Sequence, residues 1–245
     1  IAGDETLASL DDSRSAVVAG GASNSAKGKW SAIGGGSTNS IPNTAESAAI
    51  LGGQNNSASG IRSAVLGGNN NTASGQASVC LGGSANSATT TTAAAGGNGS
   101  IASGISSFAY GDYCNATGLQ SVATGARCNA YLAGMKAHAN GWFAVAGDAQ
   151  ISDLVARKVT TDAAVTRLDL NGGSSTPIAL PNNKTWMFVV NIVARNTAAS
   201  EHAAYEIKGC IKRDAAANTT AFIGTPTVTV IAESVAGWDA TVSAN

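Results

Sequence analysis

Over the first 150 residues the apolar positions come in short clusters, each ending on glycine: AVVAG, SAIGG, AAILG, AVLGG, VCLGG, AAAGG, FAYGD and VATGA. None is long enough to form a helix face. Taking the first glycine of each step as an anchor gives Gly20, Gly35, Gly52, Gly67, Gly82, Gly96, Gly111 and Gly125, spaced 14 or 15 residues apart with one gap of 17. Four residues after the anchor stands Asn in seven of eight cases: Asn24, Asn39, Asn56, Asn71, Asn86, Asn115 and Asn129. A second small segment follows, such as SASG, TASG, IASG or NATG, with its own glycine at Gly60, Gly75, Gly104 and Gly118. Each unit therefore reads as two short strands and two glycine-bearing turns closing one lap of a stacked coil.

The periodicity assigns directions to side chains. Two residues before each anchor come Val18, Ile33, Ile50, Val65, Cys80, Ala94, Ala109 and Ala123, predicted as the inward column. Four before it, Ser31, Ser63, Ser78, Thr92, Ser107 and Ser121 predict a polar column at the surface or in the turn. The Asn residues are predicted to stack as an amide ladder, trading hydrogen bonds from coil to coil. Beyond Gly125 the period loosens, and Trp142 and Phe143 are predicted to cap the stack.

Composition changes at Gln150. Residues 150–175 carry charge that the repeats lack and read as a neck. The stretches LPNNKTWMFVVNIVAR, AAYEIKGCIKR and TPTVTVIAE then read as β-strands of a small sandwich. Residues 186–194 are apolar on both faces, as in a strand held between two layers. The predicted organisation is an N-terminal connector (1–15), a parallel β-roll (16–149), a neck (150–175) and a terminal antiparallel β-sandwich (176–245), an all-β chain throughout.

The repeat unit from Ser63 to Gly67 and on to Ala73, Ser74 and Gly75, seen again from Ser121 to Gly125, resembles the head repeat of YadA-type trimeric adhesins. That resemblance covers roughly residues 16–147. It implies a left-handed parallel β-roll with three chains around a threefold axis. The doubled glycines and Asn-Asn runs depart from the bacterial pattern, so no collagen- or matrix-binding role is carried over. A second resemblance covers about residues 150–245: the linker Val155–Ala163, Leu180–Asn183, the spacing of Ala203, Tyr205, Ile207 and Gly209 after Trp186, and the run Trp238–Ala244. It is similar to the C-terminal module of phage tail fibre proteins, which continues with further strands, so the end at Asn245 reads as incomplete. The start at Ile1 reads as that of a trimmed chain.

The function implied is a structural and host-binding component of a phage tail fibre or spike, a homotrimer in the virion tail. Its partners would be other tail or baseplate proteins and a host-surface glycan or protein. A bacterial trimeric autotransporter-type adhesin on the cell surface, or a purely structural spacer, is the alternative. Recognition is assigned to residues 176–245, on the loops Asn196–Ala203 and Asp214–Ala221.

Composition and chemistry narrow the classes. Charged residues make up 12% of the chain and the net charge is −1, with no basic run to hold nucleic acid and no apolar stretch of membrane-spanning length. Between residues 16 and 147 the only acids are Glu46 and Asp112, which stacking separates too far for paired carboxylate catalysis. Glu201, Glu206, Asp214 and Glu233 lie beside Lys208, Lys212 and Arg213 as on a solvated strand surface. His138 and His202 have no ligating neighbours at metal spacing. No catalytic, metal or cofactor site is predicted, and the chain is not read as an enzyme. Cys114 and Cys128 share a phase on adjacent coils and read as buried thiols, with a disulfide as the alternative that the stacking allows.

Overall fold

The computed structural model describes residues 7–8, 15–160, 165–170, 177–196, 199–216 and 219–244. They form two compact units, residues 1–178 and 179–245.

The first unit is a parallel β-solenoid. Each coil gives one short strand to a nine-stranded sheet and one to a ten-stranded sheet, the two alternating along the chain. A coil is short because its corners are tight. In the coil from Gly68 to Gly83 the backbone turns through positive φ at Gly68, at Asn70 (55°) and at Ala77 (53°), a conformation L-residues otherwise avoid. Between corners, residues alternate in and out: Asn71, Ala73, Ser78 and Cys80 are buried, while Thr72 and Val79 face outward and are half-buried.

The core is thus four small side chains per coil. One column is Ala26, Ile41, Ala58, Ala73, Ala88, Ala102, Ala116 and Ala130, all fully buried. Facing it is the expected column of Ile33, Ile50, Val65 and Cys80, continued by Ala95, Ala109 and Ala123. Ala95, not Ala94, takes the sixth place; Ala94 pairs with Val79 and Phe108 and faces outward with them. Ser31, Ser63, Ser78, Ser107 and Ser121 close the turns, each N–H donating to the carbonyl three residues back, and are buried, not at the surface. Four of those hydroxyls (Ser31, Ser63, Ser78, Ser107) make no hydrogen bond within the chain. Ala93, not Thr92, completes the series; Thr92 is an exposed corner residue with φ of 56°.

The Asn ladder is real but shorter than expected. The Nδ2 of Asn71 donates to the carbonyls of Gly67 (2.9 Å) and Gly83 (3.0 Å), and its Oδ1 accepts from the N–H and Nδ2 of Asn86, both at 3.0 Å. Asn24, Asn39, Asn56 and Asn86 occupy equivalent places. After Asn86 the column passes to Ser100, Cys114 and Cys128. Asn115 and Asn129 lie one residue further on and face outward on the strands. The offset comes from the glycine pairs. Gly83, Gly97, Gly111 and Gly125 stack in register. The second glycine of each early pair therefore holds the corner, and the first is an extra residue in the longer coils. At Cys80–Gly83 that extra residue appears as a register shift.

The C-terminal end of the solenoid is closed, though not by Trp142 and Phe143, which are exposed. Gln150–Asp153 runs antiparallel against Lys136–Asn140 and ends the ten-stranded sheet. The Gln150 amide completes the other sheet, accepting from Asn129 N–H (2.9 Å) and donating to its carbonyl (3.0 Å). Met135, fully buried, fills the last of the core. At the other end Leu7–Ala8, within the expected connector, pairs with Ser25–Ala26.

The second unit is one four-stranded antiparallel sheet, where a sandwich was expected. Lys184–Asn196 and Glu201–Arg213 form a hairpin in unbroken register over 13 pairs. Ala221–Phe222 and Thr227–Glu233 line the far edge of Glu201–Arg213. All four strands are used in this single layer. One face carries Phe188, Val190, Tyr205 and Ile207, half-buried or buried; on the other, Met187 is 85% and Val193 84% exposed.

Candidate functional site

The two outer faces of the solenoid differ in chemistry, because successive strand residues alternate between core and surface. On the nine-stranded sheet the outward residues are hydroxylated from Ser25 through Ser40, Ser57 and Thr72 to Ser87, with Ser59, Ser74 and Thr89 beside them, and the column continues as Ile101, Asn115 and Asn129. On the ten-stranded sheet the outward column Val17, Ala32, Ala49, Ala64, Val79, Ala94, Phe108 and Val122 is apolar. Next to it stand Leu51 (64% exposed), Leu66 (47%), Leu81 and Tyr110. Lys136, on the last parallel strand, is the first charge in either apolar column. Eight stacked strands at about 4.8 Å spacing make this apolar strip roughly 35 Å long.

The ionisable residues are dispersed. Asp112 accepts from Asn98 Nδ2 at 2.8 Å on one corner of the coil. Glu46 lies on the opposite corner several coils away, its carbonyl accepting from Arg62 N–H. His138 Nδ1 is 3.1 Å from Thr124 Oγ1, and His202 sits exposed on the terminal hairpin. Among the described residues no three His, Cys, Asp or Glu side chains gather at metal-binding distance. In the terminal unit Lys208 pairs with Glu206 at 2.8 Å and Lys212 with Asp214 at 3.0 Å, both partly exposed. Glu201 accepts from Asn196 Nδ2, and Tyr205 donates to Glu233 at 3.2 Å.

One buried carboxylate escaped sequence reasoning. Asp169 in the neck is 1% exposed, 3.0 Å from Arg167 Nε and 4.0 Å from Lys158 Nζ. Its surroundings depend on a loop pairing of Arg157 with Asp169 that no periodicity announces.

Cys114 and Cys128 are stacked, fully buried free thiols. Cys114 Sγ lies 3.3 Å from the Gly125 carbonyl and Cys128 Sγ 3.1 Å from that of Thr124. The interaction between the two thiols holds Cys114 down to about 7 and, with burial, Cys128 well above the usual thiol range. The terminal loops expected to carry recognition are only partly described: residues 197, 198, 217 and 218 lie outside the described residues, as do 161–163 of the Val155–Ala163 linker. What is described is tied locally, Thr219 Oγ1 donating to the carbonyl of Ala216 at 2.7 Å.

No protein-family model matches the chain, and no curated protein matches it significantly.

Proposed function

We propose that the chain is a fibre-forming, host-attaching component of a phage tail fibre or spike, assembled as a homotrimer along its solenoid. The observation that carries this reading is the apolar strip. A monomer leaves a column of Val, Ala and Phe partly in water along the ten-stranded sheet, flanked by Leu51, Leu66, Leu81 and Tyr110, while the early coils of the opposite face are hydroxylated. Removing one leucine side chain from water stabilises by about 1.5 to 3 kcal/mol. A second copy has the same strip, length and coil spacing, so copies cover each other without a charge to desolvate. The number three and the left-handed sense of the roll come from the YadA-like repeat, and the tail fibre from residues 150–245. The exposed face of the terminal sheet adds support, since within that unit the described strands form a single layer.

In this reading the solenoid is a stiff spacer in the virion tail. One end joins other tail or baseplate proteins and the particle meets a host-surface glycan or protein. Multi-angle light scattering checks the assembly: a folded species of about three times 24.0 kDa is expected, and a stable monomer sinks the reading. Adsorption of fluorescently labelled trimer to a panel of bacterial hosts, blocked by excess unlabelled protein, checks attachment.

A further inference from the structure

Six of the seven aromatic residues between 15 and 160 fall between Phe108 and Phe143, on the last coils of the solenoid and the loop beyond. Two of them close on one cation. The Arg127 guanidinium lies 3.8 Å from the Trp142 ring centroid and 5.0 Å from that of Tyr113. Tyr113 and Arg127 hold the same corner position on adjacent coils, their N–H groups bonding Asn98 and Asp112 carbonyls at 2.7 Å. The Tyr113 ring lies down over Gly99, where any Cβ would come within 2.6 Å of it.

The loop beyond is built to hold its rings in water. The Asp148 carboxylate accepts from the N–H groups of Phe143 (3.0 Å), Ala144 (2.6 Å) and Val145 (2.8 Å). Gly147 N–H donates to the Arg127 carbonyl at 2.8 Å, which ties the loop to the coil. Phe143 is nevertheless 87% exposed, and Trp142 and Tyr113 are each exposed by nearly half. Trp142 and Tyr113 gain cation–π contacts with Arg127, but most of the Phe143 ring stands in water, and exposed apolar patches mark interaction sites. On the same corner the exposed Asn98–Asp112 pair holds an amide and a carboxylate together.

We propose that this corner binds a saccharide. The C–H faces of pyranose rings stack on Trp142 and Phe143, and hydroxyls bond the Asn98–Asp112 pair and the edge of the Arg127 guanidinium. The composition selects this occupant. Nucleic acid needs a basic stripe, whereas here Asp112 offsets Arg127. A protein hot spot sits in a dry apolar surround, whereas these rings alternate with Asn, Asp and Arg. The inference rests on the adhesive reading above for the source of the saccharide, a host surface, and moves recognition from the terminal unit to the solenoid.

The test uses the intact chain on an array of bacterial surface oligosaccharides, with hits titrated by calorimetry. Trp142→Ala and Phe143→Ala should each weaken a hit about tenfold, equivalent to about 1.4 kcal/mol. Trp30→Ala, an exposed ring stacked under Lys29 in an early coil, should leave binding unchanged. Far-ultraviolet circular dichroism and the scattering mass should be the same for all three. A blank array overturns the site, as do hits indifferent to Trp142→Ala and Phe143→Ala, or variants that change only the mass, which makes the corner a contact between copies. Chains that adsorb to hosts but bind no saccharide overturn the site and leave the fibre reading standing. A monomer that binds saccharide through Trp142 supports the site and removes the trimer.

Discussion

At the residue scale two glycine columns do different work. An added Cβ at Gly68 (φ 87°) would stand 2.1 Å from the Gly83 carbonyl oxygen, so both conformation and space exclude it. At Gly52 no such φ is required, and an added Cβ meets nothing within 4 Å. Gly68→Ala should therefore unfold the coil or cost several kcal/mol, and Gly52→Ala should stay within about 0.5 kcal/mol, a contrast that urea midpoints would expose. Asn71→Ala strands the buried Asn86 N–H, a loss of about 1 to 3 kcal/mol, while the Gly83 carbonyl keeps the Asn69 N–H. Asn71→Ser should lose less, because at Ser100 a hydroxyl already donates to Gly111 and accepts from Cys114 N–H. If the two variants melt together, the ladder is not what holds the stack. Burial pushes the Cys80 thiol up to about 11 from 9.0. Between those values the unfolded chain ionises first, so this contribution is whole below pH 9 and falls as pH rises through the window. Cys80→Val, between Val65 and Ala95 in the column, should flatten that part of the stability profile between pH 9.0 and about 11.

Elements were legible where repetition was. Both strands of each coil, the Ile33–Cys80 column and the Asn24–Asn86 ladder follow from spacing alone, because parallel stacking brings the same position of every lap together. The failures came where the lap changes length. Gly96 looks like the first member of another glycine pair, yet it pairs with Tyr110, while Gly97 holds the corner. Counting back from it put Ala94 and Thr92 in the columns, and counting forward from Gly111 and Gly125, which stack on Gly97 at the corner, put Asn115 and Asn129 in the ladder. The cap was misread because large rings suggest covering, whereas an edge of unpaired amides is closed by hydrogen bonds. Gln150 supplies them. Gln150→Ala should raise the hydrogen-exchange rate at the Asn129 amide well above that of interior coils such as Ala73, with little change in overall secondary structure. Unchanged protection at Asn129 would mean the antiparallel strand closes the end without the side chain.

On the scale of the whole molecule, the two outer faces set the last prediction. Coil-to-coil hydrogen bonds lie within one chain, so they stabilise the solenoid whether or not copies associate. The apolar strip contributes only when covered. Leu66 and Leu81 stand next to each other along it on adjacent coils. A lysine at either place puts one charge per chain into a surface where three copies would meet, and burying an unpaired ammonium costs several kcal/mol. Ser59 and Ser74 occupy the matching coils on the hydroxylated face, where lysine stays in water. Leu66→Lys and Leu81→Lys should therefore lower the scattering mass from about three times 24.0 kDa toward one, with β-type circular dichroism retained. Ser59→Lys and Ser74→Lys should leave the mass unchanged. If the serine variants dissociate and the leucine variants do not, the copies meet through the hydroxylated face, and the apolar strip must be covered by another protein.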